Sequence, residues 1–499
     1  RRGPPAYDLP ATTSCAAIGE AVDTAYLCLP AEAALDAAEE AIAAGIRNLV
    51  VVASGFAEVG GDGARLETRL AMLCERHGAR ALGPNCLGYR NNLAKVALGS
   101  MPFAEQKVAG NIGLVSVSGS VAVNIAHYAA QQGAGLTHSI ATGNEMNVTT
   151  ADLIDYLAGI PEVRAIALFI EGIRDPQAFV DAAMRAHAAR KPIVAIKAGA
   201  AETTAAIAAA HTGSAVGDDK VFGAVCERLG IVRVSTMEAL VNTAAALAET
   251  GPLERPGTAF VSISGGICEI ASDAGAQFGV SFPQFADATR QGLAPVISGF
   301  GQMHNPLDLT GAATKDTGLW KRVTDVVAGD PGMGLMMLNW DVPALAQPSM
   351  PTTIAAIGEI LAERRMPALM VSNFPRAINE HGLAFMARYG ISYTLPGLTE
   401  GLAAVGKLGW WSDRIARPIP RPALRCPATA SARPADEAQA LAHLASHGVP
   451  VIPQLLAATG AQAAAHARAI GGPVALKVLS PDIAHKTEAG GVLLGLEGD

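Results

Sequence analysis

The sequence predicts an α/β fold of parallel βαβ units, and three observations carry that prediction. Short apolar runs (Asn48 to Ala53, Ile112 to Val117, Ala165 to Ile170) alternate with helical stretches (Ala31 to Ala44, Val121 to Gln132, Pro176 to Ala189). This is the rhythm of strands joined by crossover helices. Several strands run straight into small polar turns that open a helix, as in Ser118-Gly119-Ser120 and Ser264-Gly265-Gly266. One strand–turn–helix unit also recurs in constant register, from Val115 against Val261 to Gly133 against Gly279, as a duplicated domain would.

Composition narrows the class. A chain of 499 residues suits three or four domains of ordinary size. Only 5% of residues are aromatic, so burial rests on Ala, Val, Leu and Ile. The net charge is −8 with no long basic run, which argues against a nucleic-acid groove. Seven scattered cysteines without a CxxC pair argue for reduced thiols rather than a disulfide framework or a zinc site. No apolar run approaches the ~18 residues of a membrane span, and no signal peptide opens the chain. A cytoplasmic protein that touches neither membrane nor nucleic acid is expected.

The elements follow in order. Arg1 to Pro10 is read as a loop, then come a strand (Ala25 to Leu29), a helix and the buried strand from Asn48, which ends in Ser54-Gly55-Phe56-Ala57-Glu58. A helix from Arg65 to His77 leads to Arg80 to Leu82 and to Gly83-Pro84-Asn85-Cys86-Leu87-Gly88. Loops at the carboxyl ends of parallel strands are where such sheets bind ligands. A second unit runs from Gly110 to about Glu249 and a third to about Lys407, with strands at Gly334 to Asn339 and Ala368 to Val371. From Trp410 to Pro434 prolines and arginines read as an extended linker. Asp436 to Gly448 and Ala461 to Ile470 read as helices, and Val474 to Val478 as a strand before Ser480-Pro481-Asp482-Ile483-Ala484-His485-Lys486. So small a unit cannot bury an independent core.

The chemistry centres on Ala210-His211-Thr212-Gly213-Ser214. A neutral imidazole is a nucleophile at pH 7 and can take and pass on a phosphoryl group. By itself the octapeptide around it reads rather as a packed or capping histidine, and the motifs around it are what turn the reading to catalysis. The two serine–glycine turns add anion sites, because a helix N-terminus offers unpaired N–H groups and about half a positive charge. Facing each other, they would clamp one phosphoryl group; otherwise they are two ordinary βα turns. Glu171, at the end of a buried strand, could fix the tautomer of His211 by accepting one ring N–H. A substrate pocket is expected between the second and third units, near Asn144, Glu145, Asn305 and Asp308.

These motifs together resemble the NDP-forming (ADP-forming) acyl-CoA synthetases, the acetate–CoA ligase relatives of succinyl-CoA synthetase. The likeness rests on Ser54 to Glu58, Gly83 to Gly88, Ser118 to Ser120, Glu171-Gly172, His211 to Ser214, Asn305 to Asp308 and Ser480 to Lys486, and covers essentially the whole chain. It implies a Rossmann-like CoA-binding domain (1–103), two flavodoxin-like succinyl-CoA-synthetase-type domains (104–250 and 251–408), a linker (409–435) and the beginning of an ATP-grasp domain (436–499). By the same resemblance His211 is the phosphohistidine, Glu171 the acid that orients it, and His485 a second histidine that relays phosphate toward the nucleotide. Ser118, Gly119, Ser120, Ser264, Gly265 and Gly266 fall where the family holds phosphate. Pro30, Ser54, Gly55, Phe56, Gly83, Pro84, Asn85 and Cys86 fall where it holds CoA, and Lys477 resembles a nucleotide-phosphate lysine.

The implied reaction makes an acyl-CoA from a carboxylic acid, CoA and ATP through acyl-phosphate and phosphohistidine intermediates, releasing ADP. Mg²⁺ ligands are expected beyond Asp499, the first glycine-rich CoA loop upstream of Arg1, and a homo-oligomer is expected. The alternative on the same fold is the acyl-CoA- or nucleotide-sensing part of a protein lysine acetyltransferase. A retained His211–Glu171 pair argues against that sensor. A nicotinamide oxidoreductase is disfavoured because no GxGxxG follows a strand.

Overall fold

The computed structural model describes residues 11–100, 103–106, 108, 110–199, 219–297, 303–316, 318–346, 350–419, 436–480, 486–487 and 489–497. His211 and His485 lie outside the described residues. The chain divides into two units, Arg1–Pro422 and Ala423–Asp499.

Among the described residues the first unit holds three sheets. The first is parallel, in the order β1 (Thr24–Leu27), β2 (Asn48–Val51), β3 (Arg80–Leu82). Helices α1 (Ala31–Ala43) and α2 (Gly61–His77) supply its core, with Ala34, Leu35, Ala38, Ala41 and Ile42 on one face of α1. That i, i+3, i+4 spacing is what turns an alanine-rich stretch into a packing helix.

The second sheet holds seven strands. Its parallel body comprises β6 (Ile112–Ser116), β7 (Leu136–Ala141), β8 (Ala165–Ile170), β9 (Ile193–Lys197) and β10 (Val232–Arg233), in the order β10-β9-β8-β6-β7. β6, β7 and β9 are buried along their whole length, as expected of parallel strands covered on both faces. A hairpin of β4 (Gly88–Asn91) and β5 (Val96–Gly99) extends the sheet antiparallel beside β7. This hairpin, which no sequence pattern announces, lies on the first-domain side of the expected boundary at 103 yet pairs with the second sheet. Helix α3 (Gly119–Gln132) follows β6 and ends at Gly133, whose φ of 71° is the left-handed turn that stops it.

The third sheet is all parallel, in the order β12 (Leu307–Asp308), β11 (Gly257–Ser262), β13 (Met333–Asn339), β14 (Ala368–Val371), β15 (Thr394–Leu395). Helices α4 (Met237–Thr250), α5 (Gly265–Phe278) and α6 (Leu398–Ile415) pack with α3 in one apolar cluster that joins the second and third sheets. α6 runs into the stretch expected to be linker. Trp411 is 1% exposed, and the helix ends only just before Pro418.

The described residues of the second unit form two helices, Glu437–Ser446 and Gly460–Ile470, and an antiparallel pair, β16 (Val474–Lys477) with β17 (Val492–Leu496). None of its described residues is buried. Among the described residues no helix is long and apolar enough to cross a membrane.

Candidate active site

At the carboxyl ends of the first two sheets the chain leaves a cavity of about 580 Å³. Ser54 reaches it from the end of β2, Asn85 and Cys86 from the loop after β3, and Ser118, Gly119 and Ser120 from the start of α3. Gly143, Asn144 and Glu145 follow β7, and Glu171 to Arg174 follow β8. The cavity therefore lies between the first and second sheets. Asn144 and Glu145, expected at a substrate pocket between the second and third units, line this cavity; Asn305 and Asp308 do not.

The fit of the Gly83–Leu87 loop depends on glycine. A Cβ on Gly119 would sit 2.3 Å from the Leu87 side chain. Gly143 has φ +61°, and a Cβ there would lie 2.2 Å from the Pro84 carbonyl oxygen. The loops are sewn together by backbone bonds from Asn144 N–H to the Pro84 carbonyl (2.9 Å) and from Met146 N–H to the Gly83 carbonyl (3.2 Å).

At the floor is a polar lattice. The Asn144 amide donates to Glu58 Oε2 (2.6 Å) and Glu67 Oε2 (2.8 Å) and accepts from Asn85 Nδ2 (3.2 Å). Arg174 donates to the Asn144 carbonyl at 2.6 Å. Glu58 Oε1 accepts the N–H groups of Gly55 (2.5 Å) and Phe56 (3.2 Å). Burial pushes the Glu58 carboxyl up, but the Asn144 amide and these N–H groups outweigh it and hold the group below its ordinary range. Glu145 is 5% exposed and has φ 54°. Burial raises its carboxyl against hydrogen bonds from Thr150 and Thr142 and the Arg174 charge. The Thr150 N–H donates to its Oε1 at 2.8 Å.

Ser118 is the N-cap of α3 but makes no side-chain cap bond, and its Oγ lies 3.5 Å from Ser120 Oγ. At the third sheet Ser264 does cap α5, accepting from Ile267 N–H at 3.5 Å, and the Asp308 carboxylate stands beside Gly265. Ser264, Gly265 and Gly266 do not line the cavity that holds Ser118 to Ser120.

Other expected positions are used differently. Asn305 is 4% exposed; its Oδ1 accepts from Phe260 N–H (3.0 Å), and its Nδ2 donates to the Thr258 (2.7 Å) and Pro283 (2.9 Å) carbonyls. That amide ties a loop to the third sheet, so it is not a substrate contact. Asp308 Oδ1 accepts from Thr310 N–H at 2.7 Å. Of the residues expected at CoA, Phe56 is fully buried in the first core and Gly83 and Pro84 are buried under the Asn144 loop. Pro30 is exposed at the start of α1. Cys86 donates to the Val51 carbonyl at 3.4 Å, and burial pushes its thiol up to about 11, so it is a packed thiol rather than a nucleophile.

In the second unit Lys477 and Lys486 converge on Glu437, at 2.8 and 2.5 Å. Their hydrogen bonds bring its carboxyl down to about 2. All three line a cavity of about 670 Å³ within that unit. Glu67, Arg174 and Lys486 were not singled out as site residues in the sequence. Glu58 stood in a quoted motif, but nothing in that motif shows which carboxylate faces Asn144.

Family models match three segments of the chain: a CoA binding domain over residues 5–92, a succinyl-CoA ligase like flavodoxin domain over 109–247, and an ATP-grasp domain over 428–499. The chain is 28% identical to an ADP-forming acetate–CoA ligase of Archaeoglobus fulgidus, over 98% of this chain and 70% of that protein. It is 27% identical to an ADP-forming 4-hydroxybutyrate–CoA ligase of Nitrosopumilus maritimus, over 97% and 70%. The structure of a dinucleotide-forming acetyl-coenzyme A synthetase from Korarchaeum cryptofilum, solved with phosphate and ADP, superimposes with a TM-score of 0.73 at 24% identity. It covers 82% of this chain and 87% of that one, and this likeness speaks for the fold alone. Domain order, full-length similarity and fold agree: along its length the chain is similar to the ADP-forming acyl-CoA synthetases, the acetate–CoA ligase relatives of succinyl-CoA synthetase.

Proposed function

We propose that the chain makes an acyl-CoA from a carboxylic acid, CoA and ATP, with release of ADP and phosphate. The observation that carries this reading is the 580 Å³ cavity. In it, loops of the first sheet, the open N-terminus of α3 and Glu171 meet. A helix end with uncommitted N–H groups suits a phosphoryl group, and Ser118 and Ser120 add hydroxyl donors.

The reaction proceeds in four displacements. An imidazole nitrogen of His485 attacks the γ-phosphorus of ATP; a P–N bond forms and the bond to ADP breaks. An imidazole nitrogen of His211 attacks the same phosphorus; a second P–N bond forms as the bond to His485 breaks. A carboxylate oxygen of the acid attacks the same phosphorus and frees the imidazole, leaving an acyl phosphate. The CoA thiolate attacks the acyl carbon, and phosphate departs as the C–O bond breaks. Glu171 orients the imidazole, Ser118 to Ser120 hold the phosphoryl oxygens, and Ser54 and Asn85 lie on the CoA side. The protein supplies positioning and electrostatics rather than covalent chemistry beyond the histidine. His485 relays phosphate from the nucleotide, whose phosphates draw Lys477 and Lys486 away from Glu437. Among the described residues no group of three His, Cys, Asp or Glu side chains is placed to hold a metal ion. No step is therefore drawn through Mg²⁺.

The domain order read from the sequence is retained in this reading, with the third domain extended to the end of α6 at Ile415. We assign the chain to the cytoplasm, in keeping with six free described cysteines, and expect a homo-oligomer, which sedimentation tests. A panel of carboxylic acids offered with ATP and CoA, read as thioester formed and ADP released, tests the activity. His211→Ala abolishes turnover if the reading holds. Undiminished turnover by that variant, or no thioester from any acid, contradicts it.

A further inference from the structure

A second cavity, of about 110 Å³, lies at the carboxyl ends of β13, β14 and β15, remote from the residues assigned above. Two of its lining residues carry a buried polar atom with no hydrogen-bond partner among the described residues: Gln132 Oε1, on a residue 5% exposed, and Thr394 Oγ1, on a residue 3% exposed. A buried acceptor or hydroxyl left unpaired is costly, and such atoms call for an occupant. The volume admits a few waters or one small organic molecule.

The walls differ in charge. Gln132 is the last residue of α3, where the helix dipole is negative. Asp341 stands in the same wall, its two carboxylate oxygens accepting from Asn373 N–H (2.9 Å) and Asn373 Nδ2 (3.2 Å), with lone pairs to spare. Arg376 is the cation in the lining, its guanidinium over the exposed Phe374 ring at 5.9 Å.

We propose that this cavity is a binding site for a small zwitterion, an α-amino acid of about the size of glycine to serine. Its ammonium donates to Gln132 Oε1 and Asp341, its carboxylate pairs with Arg376, and the Thr394 hydroxyl completes the set. The site joins two parts of the molecule. α3 runs from Gln132 to the helix end at the main cavity. From Asp341 a hydrogen-bond chain passes through Asn373 and Asn339 (3.0 Å) to Ser262 Oγ (2.9 Å), which accepts the N–H of Ser264 (3.2 Å). An occupant thus braces the far end of one serine–glycine helix and the turn that opens the other.

Calorimetry and thermal unfolding of the full chain with glycine, L-alanine and L-serine test the proposal. Methylamine and N,N,N-trimethylglycine serve as probes lacking, respectively, the carboxylate and the N–H donors. The amino acids are expected to bind and raise the melting temperature, and the two control probes are not. Arg376→Gln and Thr394→Val are expected to weaken binding about tenfold or more, the scale of one lost charge-assisted contact. Thr394→Val without ligand should melt no lower than the unaltered chain, because it deletes an unpaired hydroxyl without opening a void. His211→Ala binds the amino acid unchanged, so this site and the proposed reaction fail separately. No binding by any amino acid, which would mean a cavity filled by water alone, overturns the proposal. So does equal binding of either control probe, or binding indifferent to both substitutions.

Discussion

Asn144 shows how much of the site hangs on single side chains. Its amide stands between two carboxylates from the first domain, while its carbonyl holds Arg174 from the second. Removing the amide leaves Glu58 and Glu67 facing each other with acceptors only. Asn144→Ala is therefore expected to cost about 1–3 kcal/mol in denaturant unfolding and to raise the KM for CoA more than that for ATP. His138 makes a prediction in pH. It is 2% exposed, neither ring nitrogen has a partner among the described residues, and burial lowers its basicity from the usual 6.5. The unfolded chain then binds a proton that the folded chain refuses. Stability is full above pH 6.5 and falls as pH drops through that value toward the folded one. His138→Phe is expected to flatten that slope in unfolding measured between pH 7 and pH 5.

At the level of elements, two segments carry more than their sequence advertises. Trp411 on α6 is almost wholly buried in the cluster joining the second and third sheets. Trp411→Ala is expected to cost about 3–5 kcal/mol, seen as a lower unfolding midpoint. The Gly143 turn locks the first two domains, and Gly143→Ala meets both an unfavourable φ and the Pro84 carbonyl. A loss of about 2–3 kcal/mol, with weakened CoA binding, is expected.

These elements also show what a single sequence can reveal. Buried parallel strands such as β8 announce themselves as unbroken apolar runs, since both faces are covered. The β4–β5 hairpin does not, because Gly88-Tyr89-Arg90-Asn91 has neither alternation nor an apolar run. α6 was hidden by a neighbouring proline-rich composition that begins only after it ends. In the site, the Ser118 turn was legible from local chemistry. Arg174 and Glu67 were not, since their roles exist only once distant loops have met.

Across the whole molecule, the first two sheets share one ligand-facing edge, and the third is joined to the second through packed helices rather than through the cavity. That arrangement puts the loops after β2 and β3 and the α3 helix end in one place. Of the two serine–glycine turns, Ser118 to Ser120 line the cavity and Ser264 to Gly266 do not. The central claim is that His211 carries the phosphoryl group between a nucleotide and this cavity. The most direct measurement supplies the chain with an acyl-CoA and labelled inorganic phosphate, without nucleotide, and follows label on the protein. The account predicts an acid-labile, base-stable phosphoprotein that ADP discharges, much reduced in Glu171→Gln and absent in His211→Ala. Label that persists in His211→Ala, or that survives acid, would contradict it.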